Sequence, residues 1–181
     1  MVELAYAAPN RIRGIVGQFL DDRVPVAVDL GCGTGICGPL FEPLAERLIG
    51  VDLSPAMLKI ARQRKVYDEL IEADIVQYLR RHSGAFDLSF AADVLVYLGN
   101  LRPFLTASAN ALKPGAYLAF TVETTTQHDW ILQPTGRYAH SRDYIQTLAQ
   151  HCGFAVEALE RATLRTQDYK PVVVMFGCCD V

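Results

Sequence analysis

Three glycines separated by single residues, Gly31, Gly33 and Gly35, close the run "VAVDLGCGTG" at positions 26–35. Glycine accepts positive φ and carries no Cβ, so such a turn lets a backbone pass close to a ligand. The dinucleotide fingerprint spaces its glycines G-x-G-x-x-G, and the longer second gap is missing here. Asp29 stands two residues before the first glycine, at the mouth of an apolar run. A carboxylate there repels a pyrophosphate and attracts a cation, so the pattern favours a positively charged ligand.

Further groups able to do chemistry lie beyond the later apolar runs. The stretch "TTTQHDWILQPTGRYAHS" is long and polar, holds the single tryptophan, Trp130, and offers His128, Tyr138 and His140 as titratable groups. Connections of that length are usually functional or disordered, and residues 124–140 read as a substrate-side loop. His140 precedes Ser141, a predicted N-cap; it serves either as a general base in a cleft or as a structural hydrogen-bonding group at the helix start. Asp93 follows "FDLSFAA" and is either a pocket carboxylate or an acid complementing a helix N-terminus.

The five cysteines, Cys32, Cys37, Cys152, Cys178 and Cys179, form no C-x-x-C pair, and no histidine lies at metal-ligand spacing. Reduced thiols in a cytoplasmic protein without a metal site are the expectation. Cys32 has no nearby histidine and reads as a small residue filling the glycine turn, not as a nucleophile. A formal net charge of −3 gives no basic excess to hold a nucleic acid. No signal peptide and no run of membrane-spanning length is found, so neither a nucleic acid nor a membrane is an expected partner.

The elements that must position these residues alternate. "VPVAVDL" and "LIGVDL" are continuous apolar runs, as expected of strands buried on both faces. "ICGPLFEPLAERL" between them predicts a helix kinked at Pro43. Ser54 caps a helix opening with Pro55. "DELIEAD" holds a third strand, "IVQYLRR" a short helix, "FDLSFAA" a fourth strand and "YLAFTVE" a fifth, with helical spacing over Leu101–Leu112 before the turn "LKPGA". This is the pattern of a parallel sheet wrapped in helices. After a helix ending at Gly153, "FAVEALERATLR" and "PVVVMFGCC" are joined only by "TQDYK", too short for a crossover, which predicts an antiparallel C-terminal hairpin. The 181 residues suit one α/β domain.

Taken in order, these segments resemble class I S-adenosylmethionine-dependent methyltransferases. "VAVDLGCGTG" resembles their first motif, "GVDLSPAMLKIAR" the second, "EADIVQYL" the third, "FDLSFAADVLVYL" the region of the fourth strand and "ALKPGAYLAF" the turn into the fifth. "GRYAHSRDYI" is similar to a branch often fused to tetratricopeptide repeats, although the chain has no such repeats. The resemblance covers nearly the whole chain. It implies a doubly wound, mainly parallel seven-stranded sheet with an antiparallel C-terminal hairpin, and S-adenosyl-L-methionine as cofactor.

Carried over residue by residue, Gly31, Gly33 and Gly35 pass beside the methionine portion and Asp29 lends negative charge near its ammonium and sulfonium. Asp52 accepts the ribose hydroxyls, Leu53 and Met57 line the adenine, Asp74 accepts its exocyclic amine and Ile75 packs on its ring. Read without the resemblance, Asp52 and Asp74 are strand-end carboxylates and Met57 is core. Asp93, Tyr138 and His140 are the candidate catalytic groups, and Tyr97 stands where relatives often place a histidine. The resemblance implies methyl transfer to an oxygen or nitrogen of a small molecule. A non-catalytic S-adenosylmethionine-binding accessory domain and a protein methyltransferase are the other readings.

Overall fold

The computed structural model describes residues 8–161 and 171–178. The chain runs through α1 (Ala8–Val16), β1 (Val24–Leu30), α2 (Gly38–Phe41), β2 (Ala45–Asp52) and α3 (Pro55–Gln63). It continues through β3 (Glu69–Glu72), α4 (Ile75–Arg80), β4 (Phe86–Ala91), α5 (Arg102–Ala111) and β5 (Leu112–Thr124). The short strands β6 (Trp130–Leu132) and β7 (Tyr138–His140) follow, then α6 (Arg142–His151), β8 (Phe154–Arg161) and β9 (Pro171–Cys178).

β1 pairs in parallel with β2 on one side and β4 on the other, β2 with β3, and β4 with β5. β9 runs antiparallel to β5 across Tyr117–Glu123, and β8 antiparallel to β9. The main path is therefore β3-β2-β1-β4-β5-β9-β8, a mainly parallel sheet finished by the expected C-terminal hairpin. The connecting "TQDYK" lies outside the described residues.

Apart from Asp29, β1 is apolar, and its centre is covered on both faces: Ala27, Val28 and Leu30 are fully buried. On one face of the sheet, Val28 and Leu30 share a core with Leu79, Phe104, Leu105 and Leu148 from α4, α5 and α6. The other packs against Ile12, Val16 and Phe41 from α1 and α2. There Phe41 stacks on Phe90 of β4 with centroids 3.8 Å apart. Each fully buried side chain of this kind contributes about 1.5–3 kcal/mol. Among the described residues no helix is long and apolar enough to cross a membrane.

Three expectations change. The predicted helix over 36–48 shrinks to Gly38–Phe41 and a 3₁₀ turn at Glu42–Leu44. Pro43 cannot continue the helix, and Ala45 already pairs with Val24 of β1, so the edge of a buried strand claims residues that also fit helical spacing. β5 starts at Leu112 and absorbs "KPG" through an irregularity opposite Phe86–Leu88. The stretch at 124–140 is not a structureless loop: β6 and β7 form a hairpin, and β7 adds in parallel to the end of β5 at Glu123 and Thr124.

Candidate functional site

The chain leaves β1 toward β2 and later returns to β1's other side as β4. At such a switch point the connections diverge beyond the carboxyl ends of the strands and leave a crevice. A cleft of about 930 Å³ opens there, floored by the glycine turn and walled by the ends of β2, β3 and β4. That is near the upper end of the roughly 300–1,000 Å³ usual for ligand pockets.

The turn is pinned from both sides. The N–H groups of Gly31 and Cys32 donate to the Val51 carbonyl at 2.7 and 3.0 Å. Gly31 has φ +73°, and a Cβ there would lie 2.3 Å from a methyl of Val94. Asp52, at the end of β2, accepts from the Gly33 N–H through Oδ2 and from the Ser54 N–H through Oδ1, each at 2.8 Å. A carboxylate offers about four acceptor positions, so Asp52 anchors the turn and retains capacity for a ligand diol. Asp74 caps α4 by accepting from the Gln77 N–H at 2.9 Å, and it lines the cleft together with Ile75. Leu53 is 66% exposed and Met57 42%; with Ile36 and Tyr97 they give the cleft an apolar lip. Exposed large apolar side chains gathered at one place mark a binding surface.

Asp29 and Gly35 stand off the wall. Asp29 is 1% exposed, and its Oδ2 accepts from the Tyr67 hydroxyl at 2.7 Å. Burial pushes its carboxyl up to about 7; the Tyr67 hydrogen bond works against that shift and the charge of Asp52 adds to it. Asp29 thus lies buried behind the floor, outside the residues that line the cleft. The Tyr67 ring supports the same turn: a Cβ on Gly35 or Gly38 would come within 2.9 or 2.8 Å of it. Cys32 and Cys37 are buried, and their thiols are pushed up first by burial and then by Asp29. A protonated, enclosed Cys32 is a packing residue.

The three candidate catalytic groups separate. Asp93 lines the cleft at the end of β4 with φ +59°, its N–H donating to Thr121 Oγ1 at 2.8 Å. It does not open a helix: a 3₁₀ turn at Leu95–Tyr97 follows, and α5 begins only at Arg102. Its carboxylate pairs with Arg137. Tyr138 lies edge-on to Trp130 with centroids 5.5 Å apart, and both rings crowd Gly99. His140 is fully buried, with Nε2 2.9 Å from both the Leu98 and Gly99 carbonyls. Two carbonyls at Nε2 require that nitrogen to carry the proton. Nδ1 has no hydrogen-bond partner among the described residues, and burial lowers the pKa below 6.5. Neither Tyr138 nor His140 lines the cleft. His128, with φ +54°, does not line it either.

Tyr67, Glu123 and Arg137 carry geometry that sequence reasoning missed. Nothing marks Tyr67 beyond its place before β3. Arg137 sits in the quoted "GRYAHS", but its two acidic partners are distant in sequence. Among the described residues, no three His, Cys, Asp or Glu side chains gather as a metal site.

Fold and cleft together define a doubly wound α/β domain with an open cleft at the switch point. The chain belongs to the family described as "Methyltransferase domain", whose model matches residues 28–120, from β1 into β5. It is 28% identical over 129 residues to the ubiquinone biosynthesis O-methyltransferase of Thiobacillus denitrificans, covering 66% of this chain and 55% of that one. It is 34% identical over 112 residues to the trans-aconitate 2-methyltransferase of Paracidovorax citrulli, covering 58% and 43%. The chain thus spans about half the length of the curated relatives it matches. Its fold superposes with TM-score 0.80 and 16% identity on the 1,6-didemethyltoxoflavin-N1-methyltransferase of Burkholderia thailandensis, covering 97% of this chain and 80% of that one.

Proposed function

We propose that the chain is an S-adenosyl-L-methionine-dependent methyltransferase acting on an oxygen or nitrogen of a small molecule. The observation that carries this reading is the donor set of the cleft. Bare backbone at Gly31 and Gly33 is followed, across β2 and β3, by a strand-end carboxylate, Asp52, and a second, Asp74, with apolar Leu53, Met57 and Ile75 alongside. These residues fit a nucleoside with a cationic tail: Asp52 for the ribose hydroxyls, Asp74 for an exocyclic amine, Ile75 and Met57 for the ring faces. Asp29 contributes negative potential from behind the turn. Among the described residues, those lining the cleft include no lysine or arginine, which supports a small acceptor over a nucleic acid.

S-adenosyl-L-methionine would be held by Gly31, Gly33, Asp52 and Asp74, and it would supply a methyl carbon on a sulfonium to the acceptor's lone pair. The protein's task is alignment, worth roughly 7–11 kcal/mol when complete. The glycine turn fixes one partner, and the ends of β4 and β5 present the other. Through Nε2, His140 holds the backbone of Leu98 and Gly99.

Isothermal titration tests this reading: S-adenosylhomocysteine binds and NAD does not. The labelled methyl donor with fractionated cell extract then yields a labelled small molecule. No binding of S-adenosylhomocysteine at millimolar concentration, or transfer to RNA alone, overturns it.

A further inference from the structure

The strand order makes the two ends of the cleft chemically different. Asp52 and Asp74 lie over β2 and β3, whereas Asp93 lies over β4, on the other side of the glycine turn. At that end Arg137, in the turn between β6 and β7, reaches two carboxylates. It pairs with Asp93, and its Nε lies 2.6 Å from Glu123 Oε1, off the N–H direction. Glu123 also accepts from Gln133 Nε2 at 2.5 Å. The side chains of Arg137, Asp93 and Glu123 are 17%, 20% and 8% exposed. The guanidinium lies 6.0 Å from the ring centroid of Tyr97, which lines the cleft and is largely exposed.

One cation against two anions leaves this trio with a net charge of −1, and the guanidinium is engaged by residues of its own chain. An incoming carboxylate would meet Asp93 as a like charge in a poorly solvated place. A hydroxyl or amine would meet a hydrogen-bond acceptor, and an apolar body would meet Tyr97, Val94 and Leu98.

We propose that the Asp93–Arg137–Glu123 trio selects the acceptor class. Asp93, positioned by Arg137, accepts a hydrogen bond from the hydroxyl or amine to be methylated on an apolar substrate, and the trio rejects carboxylate acceptors. Arg137 and Glu123 are positioning residues. The inference rests on the methyl-transfer reading above.

The test uses three probes that share a ring: catechol, benzylamine and benzoate, titrated into the full chain saturated with S-adenosylhomocysteine. Catechol and benzylamine bind at least about tenfold more tightly than benzoate, as one like-charge contact requires. Asp93→Asn keeps the left-handed backbone, which asparagine accepts, and removes the charge. In that variant, again saturated with S-adenosylhomocysteine, the discrimination against benzoate falls about tenfold. Benzoate binding as well as the other two, or an Asp93→Asn ranking equal to wild type, overturns the proposal. Failure to bind S-adenosylhomocysteine at all sinks the methyl-transfer reading instead, so the two failures are distinct.

Discussion

The Tyr67 hydroxyl donates to Asp29 at 2.7 Å beneath the glycine turn. These two residues, 38 positions apart, join β1 to the segment entering β3. The hydroxyl holds a carboxylate that burial would otherwise drive further from its ordinary range, and the ring props Gly35 and Gly38.

A pH dependence of cofactor affinity follows. Asp29, with its carboxyl near 7, faces Tyr67, Asp52, Cys32 and Cys37, and burial keeps both thiols protonated. A cation above the turn favours the Asp29 carboxylate, so binding of the methyl donor strengthens from pH 6 to pH 8 and releases protons near pH 7. Titration in buffers of different ionisation heat reads that release. Tyr67→Phe removes the hydrogen bond that opposes the shift, so the midpoint moves upward. An affinity for the donor that is flat from pH 6 to pH 8 removes Asp29 from the electrostatics of the site.

Asp29 also makes the fold itself pH-dependent. A carboxyl raised in the folded state stabilises it fully below about 4, and that contribution is lost as pH rises through about 7. Asp29→Asn therefore gains in melting temperature relative to wild type as pH increases from 5 to 8. Parallel melting curves for the two proteins across that range count against a buried titrating carboxyl.

Asp52 serves both the turn and the ligand. Asp52→Asn keeps one acceptor oxygen and loses the charge, leaving one of the two backbone N–H groups poorly satisfied. The affinity for S-adenosylhomocysteine falls by about 1–3 kcal/mol, with a smaller loss of thermal stability. Calorimetry and a melt separate the two effects, and unchanged affinity would take Asp52 out of the site.

Much of this geometry is legible in the sequence because it is local. The glycine spacing, Asp52 ending an apolar run and Asp74 before a helix all follow from residues close in the chain. The hairpin β6–β7 is not, because each strand has three residues and too little alternation to stand out within a polar stretch. His140 shows the same limit. Sequence alone leaves both base and scaffold open for it, because the two carbonyls that meet its Nε2 come from positions 98 and 99, which the chain brings near only on folding. The Arg137 trio is likewise assembled from three separate elements.

His140 is accordingly expected to behave as scaffold. His140→Ala leaves two carbonyls without their donor and a void at a fully buried site, a loss of about 2–4 kcal/mol. The affinity for S-adenosylhomocysteine stays unchanged in protein that remains folded. Burial lowers the histidine's pKa, so its support is complete above about 6.5 and is lost as pH falls toward the lowered value. The stability gap between wild type and variant narrows over that acidic window. A turnover loss rescued at high pH with an unaltered melting temperature would instead make His140 a base.

Gly31 and Gly33 separate folding from binding within one turn. Both have positive φ, so alanine strains either position by about 1 kcal/mol or more. At Gly31 the added methyl would sit 2.3 Å from Val94, inside the packed protein, so Gly31→Ala loses stability and binding together. At Gly33 no atom lies within 4 Å of the added methyl, and the residue lines the cleft, so the group projects into space the ligand needs. Gly33→Ala therefore melts only slightly below wild type while its affinity for S-adenosylhomocysteine falls at least about tenfold, the size of one steric contact at a close backbone approach. Equal affinity for wild type and Gly33→Ala would mean that the ligand does not approach the floor of the turn, and the cleft would then need a different occupant.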